Sequence, residues 1–340
     1  MTAYSLRHTQ LPRTKCALVA FALLLAASTT LSAQRPVHTY SIVARDSATG
    51  QFGVAVQSHW FSVGSLVTWA EAGVGAIATQ SFIDPGYGAL GLQLLRAGKT
   101  ADETLRALIA ADAHPEVRQV AIVDATGTVA AHTGDKSIEA YGHRKGRSYS
   151  TQANLMLKST VPDAMARAYE SAKGDFADRL LAALDAAQAE GGDIRGSQSA
   201  AILIVNAKST GRPWADKVMD LRVEDNKQPL VELRRLVNLA RAYARMNAGD
   251  EAVTVNDLDK ATKEYGAAEA MVADSITNGE MVFWHAVLLA NTGKVEESLP
   301  LFQRAFKQDR NWAELVKRLP KAGQLPNDKR LIDRITALAK

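Results

Sequence analysis

The chain has 340 residues, with 40 Lys and Arg against 36 Asp and Glu, and a single cysteine. Arg7, Arg13, Lys15 and Cys16 all precede residue 34, so the 307 residues that follow Ala33 carry a net charge of +1 and no thiol. That balance excludes a basic nucleic-acid footprint and a disulfide framework, and leaves stability to core burial, for which this length suffices over two domains.

Arg7, Arg13 and Lys15 lead into the apolar run CALVAFALLLAAS, Cys16 to Ser28, and then into LSA ending at Ala33. Charge, apolar run and small residues in that order form a secretory signal peptide, and the run is too short to span a bilayer. Residues 1–33 are expected to be removed, leaving a periplasmic or secreted protein with no membrane span. Residues 34–38 form a short extension ahead of Thr39.

Tyr40 to Arg45 and Phe52 to Gln57 are expected strands around the turn Ser47-Ala-Thr-Gly50, and both faces of the second are small or apolar, as in a sheet covered on both sides. Val63 to Trp69 and Val74 to Gln80 are expected as further strands. The period then changes. Leu90, Leu94 and Leu95, followed by Leu105, Leu108 and Ile109, have helical spacing, with Thr100 an N-cap before Glu103. Strands return at Gln119 to Asp124, Thr128 to His132 and Tyr149 to Met156. A helical pair covers about 160 to 172 and 175 to 190, closed by Gly191-Gly192. Ala200 to Val205 and Lys217 to Val223 are the last strands, the second alternating like an edge. Runs of consecutive strands argue for antiparallel sheets with helices on their outer faces rather than a doubly wound parallel sheet.

From Pro229 onward the pattern is helical, with starts near Pro229 and Asp257. Residues 278 to 312 resemble a tetratricopeptide repeat, with Ala286, Leu289, Gly293, Phe302 and Ala305 at its packing positions. Ser298 replaces the usual alanine and the closing proline is missing; a plain helical hairpin shares some of this spacing.

The stretch PGYGALG holds Gly86, Gly88 and Gly91, a literal G-x-G-x-x-G. The helix after it leads into another helix and not into a parallel strand with a ribose-binding acid, so a glycine-rich loop shaping a pocket wall is the expectation. His38, His59, His114, His132, His143 and His285 form no metal motif, although His132 and His143 could converge; no metal and no cofactor are expected. No G-x-S-x-G elbow is present. What remains is Thr39 with polar residues at strand ends: Ser58, Gln80, Gln152 and Asn154, and the run GGDIRGSQS with Asp193, Arg195, Gln198 and Ser199. Taken singly, such residues more often satisfy loop backbones than bind ligands; their clustering at the mouths of the sheets suggests a shared pocket.

The stretches TYSIVARDSATGQFGVAVQS, AGVGAIATQS, RQVAIVDATGTVAAHTG and GGDIRGSQSAAILIV resemble, in order, a bacterial family catalogued as domain of unknown function 1028 and grouped with the N-terminal nucleophile (Ntn) hydrolases. The resemblance implies an α+β fold: a four-layer αββα Ntn-hydrolase-like sandwich over residues 39–226, followed by a small all-α tetratricopeptide-like domain over 227–340. It implies Thr39 as a nucleophile whose own freed α-amine is the base. By position and residue type, Asn154 or backbone N–H groups would hold the oxyanion, and Ser58, His59, Gln80, His143, Gln152, Asp193, Arg195 and Gln198 would contact substrate, Arg195 through a substrate carboxylate. Some family members carry lysine where this chain has His59.

The function so implied is hydrolysis of a C–N bond in a small amide or peptide-like compound. The competing expectation is a non-catalytic ligand- or cell-wall-binding protein whose helical region docks a protein or wall partner. A third is that residues 229–340 only stabilise the first domain or hold a homo-oligomer together.

Overall fold

In a computed structural model of the chain, residues 39–339 are described; the signal-peptide and extension readings lie outside them. Among the described residues ten strands form two sheets, antiparallel at every pair. The larger contains β1 (Thr39–Arg45), β2 (Phe52–Ser58), β7 (Gly142–Gly146), β8 (Tyr149–Ala153), β9 (Ser199–Val205) and β10 (Lys217–Val223) in the spatial order β10-β9-β2-β1-β8-β7. The smaller contains β3 (Thr68–Glu71), β4 (Gly75–Ser81), β5 (Arg118–Asp124) and β6 (Val129–Thr133) in chain order.

Strand alternation explains how the sheets stack, because successive side chains point to opposite faces. Val43, Val54, Val56, Leu203 and Val205 of the larger sheet share one core cluster with Ala76, Ala78, Ala121 and Val123 of the smaller. Small residues on one side and branched ones on the other let the two sheets approach. The opposite face of the larger sheet (Tyr40, Ile42, Ala55, Ile202) packs on α4 (Val161–Ser171) and α5 (Phe176–Ala189) through Met165, Leu180 and Leu184. Ile77, Val120 and Ile122 of the smaller sheet pack on α2 (Gly86–Arg96) and α3 (Ala101–Ala111) through Leu92, Leu95, Leu105 and Leu108. The result is an α+β sandwich of four layers: helices, sheet, sheet, helices.

The sequence expectations hold for these helices and most strands. Thr100 caps α3 in a full capping box with Glu103. Two segments differ. Val63–Trp69 is not one strand: Ser62 sits at φ 57°, Gly64–Val67 makes a single helical turn (α1), and only then does β3 begin. A Cβ on Gly64 would lie 2.4 Å from that of Ala201, so the glycine lets this turn press onto β9. The segment Gly142–Gly146 is a strand that sequence reading misses, since GHRKG is polar, glycine-flanked and without apolar alternation. It pairs only with β8, at the sheet edge, where such a composition is tolerated.

The helical region begins with α6 (Pro229–Thr254), followed by α7 (Leu258–Met271), α8 (Glu280–Asn291), α9 (Val295–Gln308), α10 (Asn311–Arg318) and α11 (Lys329–Thr336). The first half of α6 belongs to the sandwich, with Leu233 and Val237 in the core beneath the larger sheet. Its second half belongs to the helices, with Ala242, Met246 and Ala252 packed on Ala261, Tyr265 and Leu288. The two regions therefore merge inside one helix rather than at a linker. The chain turns between α8 and α9 on Gly293 (φ 81°), and Ala286, Phe302 and Ala305 are fully buried in this helical hairpin.

Candidate functional site

The layer between the sheets is apolar at one end and polar at the other. On β1 the inward-facing residues run Thr39, Ser41, Val43; on β4 they run Gln80, Ala78, Ala76; on β5 Gln119, Ala121, Val123. Ser58, Gln152 and Ser199 end β2 and β9 and line β8 in the same way, and Asn154 directly follows β8. All of these polar residues are completely buried.

They satisfy one another across the two sheets, as buried polar groups must. Ser41 Oγ donates to Gln80 Oε1 at 2.6 Å and accepts from Gln152 Nε2 at 2.6 Å. Gln80 Nε2 donates to Gln119 Oε1 at 2.7 Å and to the Thr39 carbonyl at 3.1 Å. Asn154 Nδ2 donates to the same Gln119 Oε1 at 2.8 Å, and its backbone N–H reaches the Thr39 carbonyl at 3.1 Å. Thr39 Oγ1 in turn donates to Ser58 Oγ at 3.2 Å. The first residue of β1 is thus held by side chain and carbonyl together. One acceptor in the cluster is left over: Gln152 Oε1 is buried without a donor.

Backbone strain gathers at the same end. Of the non-glycine residues with positive φ, Ser81 closes β4 there, and Ser62, Ala140 and Leu155 lie on the loops that leave it. Such conformations cost free energy and concentrate at functional sites.

The expected residues thus divide into two groups. Thr39, Ser58, Gln80, Gln152 and Asn154 converge in one cluster. Asp193, Arg195, His59 and Gln198 form a neighbouring loop cluster. Arg195 Nε and Nη2 lie 3.0 and 2.6 Å from the two oxygens of the buried Asp193 carboxylate, whose Oδ2 also takes the His59 backbone N–H. The guanidinium fork expected to meet a substrate carboxylate is therefore already engaged by Asp193, two residues away. The exposed His59 ring stands outside the buried cluster. Gln198 donates to Asp225 and its backbone N–H reaches the Ser58 carbonyl.

His143, in register with Gln152, lies on the inter-sheet face of β7 but is exposed at the sheet edge, with Nδ1 2.8 Å from Thr133 Oγ1. Partial desolvation, then Lys145 and His132, hold its pKa below the ordinary imidazole value. His132 does not join it there; its Nε2 lies 2.8 Å from the Pro115 carbonyl.

Sequence reading missed Ser41, Gln119 and Thr133, although the signal was present: in each strand a polar residue falls in phase with the inward-facing apolar ones. PGYGALG is corrected. Gly86, Gly88 and Gly91 form the first turns of α2, not a loop, and a Cβ on Gly88 would lie 2.2 Å from the Trp69 ring. The glycines allow close helix–sheet packing. Among the described residues no group of three His, Cys, Asp or Glu side chains could hold a metal ion, and no helix is long and apolar enough to cross a membrane. A separate groove of about 740 Å³ lies between α6, α7 and α8, walled by Trp284, Val287, Leu288 and Tyr265.

Comparison with known proteins matches residues 39–233 to a group described as "Family of unknown function (DUF1028)". The crystal structure of a Silicibacter pomeroyi protein from that family is similar over 60% of this chain and 89% of its own, at 29% identity and a TM-score of 0.53. No curated protein matches the chain.

Proposed function

Since the chain belongs to the DUF1028 family of unknown function, we propose its activity from its own geometry: it is the exported precursor of an Ntn-type hydrolase of a small amide or peptide-like bond. Thr39 is the nucleophile and its freed α-amine the base. The observation that supports this reading is the place of Thr39. It opens β1, a strand paired on both sides within the larger sheet, at the polar and strained end of the inter-sheet layer. Its carbonyl and hydroxyl are both held.

As the chain stands, Thr39 is fully buried and its nitrogen is an amide, which is no base. Hydrolysis of the 38–39 peptide bond turns that amide into a free amine. The liberated amine has a reference pKa of about 7.7–8.0, suited to general-base work near neutral pH. The Thr39 oxygen then bonds to the substrate carbonyl carbon while the amine takes the hydroxyl proton. Asn154 supplies an N–H to the oxyanion. The amine returns the proton to the leaving nitrogen, and water hydrolyses the ester in the same manner.

The burial of Thr39 favours a second reading, a non-catalytic binder, to which the α6–α8 groove would contribute a partner or cell-wall contact. Intact mass and N-terminal sequencing of exported protein test the first reading directly. A form beginning at Thr39, with amide turnover lost in Thr39→Ala, is the expected result. Full activity in a chain that still carries residues 34–38 refutes it, and ligand binding unchanged in Thr39→Ala, with no turnover in either protein, supports the binder.

A further inference from the structure

We propose that His143 is the surface end of a directional hydrogen-bond relay, running through Thr133, Gln119 and Gln80, that positions Thr39 and couples its orientation to the protonation of the imidazole. The importance of this relay for turnover rests on the Thr39 reading above.

The direction is fixed by what each group can do. Gln119 Nε2 lies 3.0 Å from the Ala153 carbonyl and 3.1 Å from the Gly142 carbonyl, groups that only accept, so this end of the carboxamide is the NH2. Its two hydrogens are shared over three acceptors, of which Thr133 Oγ1 at 2.9 Å is the nearest. An amide nitrogen accepts nothing, so the Thr133 hydroxyl cannot point its proton toward Gln119. The remaining partner is His143 Nδ1 at 2.8 Å. We assign the Thr133 proton to that contact, so Nδ1 accepts and the neutral imidazole carries its hydrogen on Nε2. At the inner end, Gln119 Oε1 accepts from Gln80 Nε2, and Gln80 Nε2 also donates to the Thr39 carbonyl. An exposed ring is thus joined to the buried head of β1 by direct contacts.

The relay also crosses between the sheets. Thr133 ends β6 and His143 lies on β7, the outermost strands of the smaller and larger sheets on that side. Protonation puts a hydrogen on Nδ1 facing the hydroxyl, so Thr133 must become an acceptor from both neighbours and turn its proton elsewhere. The titratable and charged neighbours are Lys145 on the same strand, His132 on β6, and the Arg144–Asp163 ion pair that joins β7 to α4. Partial desolvation, then Lys145 and His132, disfavour the imidazolium and so favour the donating state of Thr133.

The test is NMR on the full chain carrying ring-15N histidine and side-chain-15N glutamine. The expected result is an Nε2–H tautomer for His143 at neutral pH, with the Gln119 and Gln80 side-chain amide signals shifting along the His143 titration. In Thr133→Val those amide signals should become silent through the same pH range, and in Thr133→Ser they should again follow it. An Nδ1–H tautomer in the unmodified chain, or Gln119 amides indifferent to His143, overturns the relay. These readouts need no turnover, so a chain that never hydrolyses an amide can still support or refute the relay.

Discussion

Two glutamines with the same burial should respond in opposite directions to the same substitution. Gln119 and Gln57 are both completely inaccessible, and leucine nearly matches glutamine in volume. Gln119 accepts from Gln80 and Asn154 and donates to Thr133, Gly142 and Ala153. Gln119→Leu therefore strips a partner from several buried groups at once. Counting only the Asn154 amide and the Ala153 carbonyl, at about 1–3 kcal/mol for each group left unsatisfied, the loss is about 2–6 kcal/mol. That is a large part of a typical domain stability of about 5–15 kcal/mol. Gln57 pairs in register with Tyr40 and Ala200 and so faces the helical layer, and neither its oxygen nor its nitrogen has a partner. Gln57→Leu removes two unsatisfied polar atoms and should be neutral or stabilise by about 1–3 kcal/mol. Urea unfolding of the two variants beside the parent, compared at equal m, measures both. A Gln57→Leu protein as damaged as Gln119→Leu would refute the assignment of the inter-sheet network as the satisfied one.

Gly88→Ala should destabilise by about 1–3 kcal/mol through overpacking, since the new Cβ meets the Trp69 ring, and a loss of unfolding midpoint without loss of helix content would show it. Thr100→Ala should cost about 1 kcal/mol by removing half of the capping box of α3, measured by the same melt. Burial alone would raise the Asp124 pKa, but hydrogen bonds from the Thr126 hydroxyl and from the backbone N–H groups of Ala101, Thr128 and Thr126 outweigh it and hold the carboxyl below its ordinary value. A depressed folded-state pKa stabilises fully above the unfolded value of about 3.9 and is lost as pH falls through the folded one. Asp124→Asn should accordingly flatten the acid limb of the stability curve below about pH 4 and leave its slope at neutral pH unchanged.

The layer order was legible because each strand that builds it carries its own period. Residues 52–56 and 200–205 are small or apolar on both faces, and Leu92, Leu95, Leu105 and Leu108 repeat at helical spacing. GHRKG carried no such signal, since an edge strand facing solvent needs no apolar face. Val63–Trp69 misled because its β-branched composition favours a strand, while a tertiary demand, the close approach of Gly64 to Ala201, bends the chain first. Gln80, Gln152 and Asn154 could be picked out as polar residues at strand ends, but their partners could not. Ser41 and Gln119 lie far away in sequence, and which faces meet is decided by how the sheets stack.

The polar end of the layer is hard to explain as a purely structural choice. A few residues further along the same strands, valine and alanine fill the same space between the same sheets with nothing to satisfy. A buried polar network at best breaks even with such packing, and one with missing partners is worse. Here Gln152 Oε1 lacks a partner, and Ser62, Ser81, Ala140 and Leu155, at or just beyond the strand ends, are in left-handed conformations. Each of these features lowers stability, and all lie at the end of the layer where β1 begins. Strain and imperfect polar pairing concentrate at functional sites, and the groups gathered here are those that fix a threonine in place. The apolar half of the sandwich holds the fold, and the polar half holds Thr39.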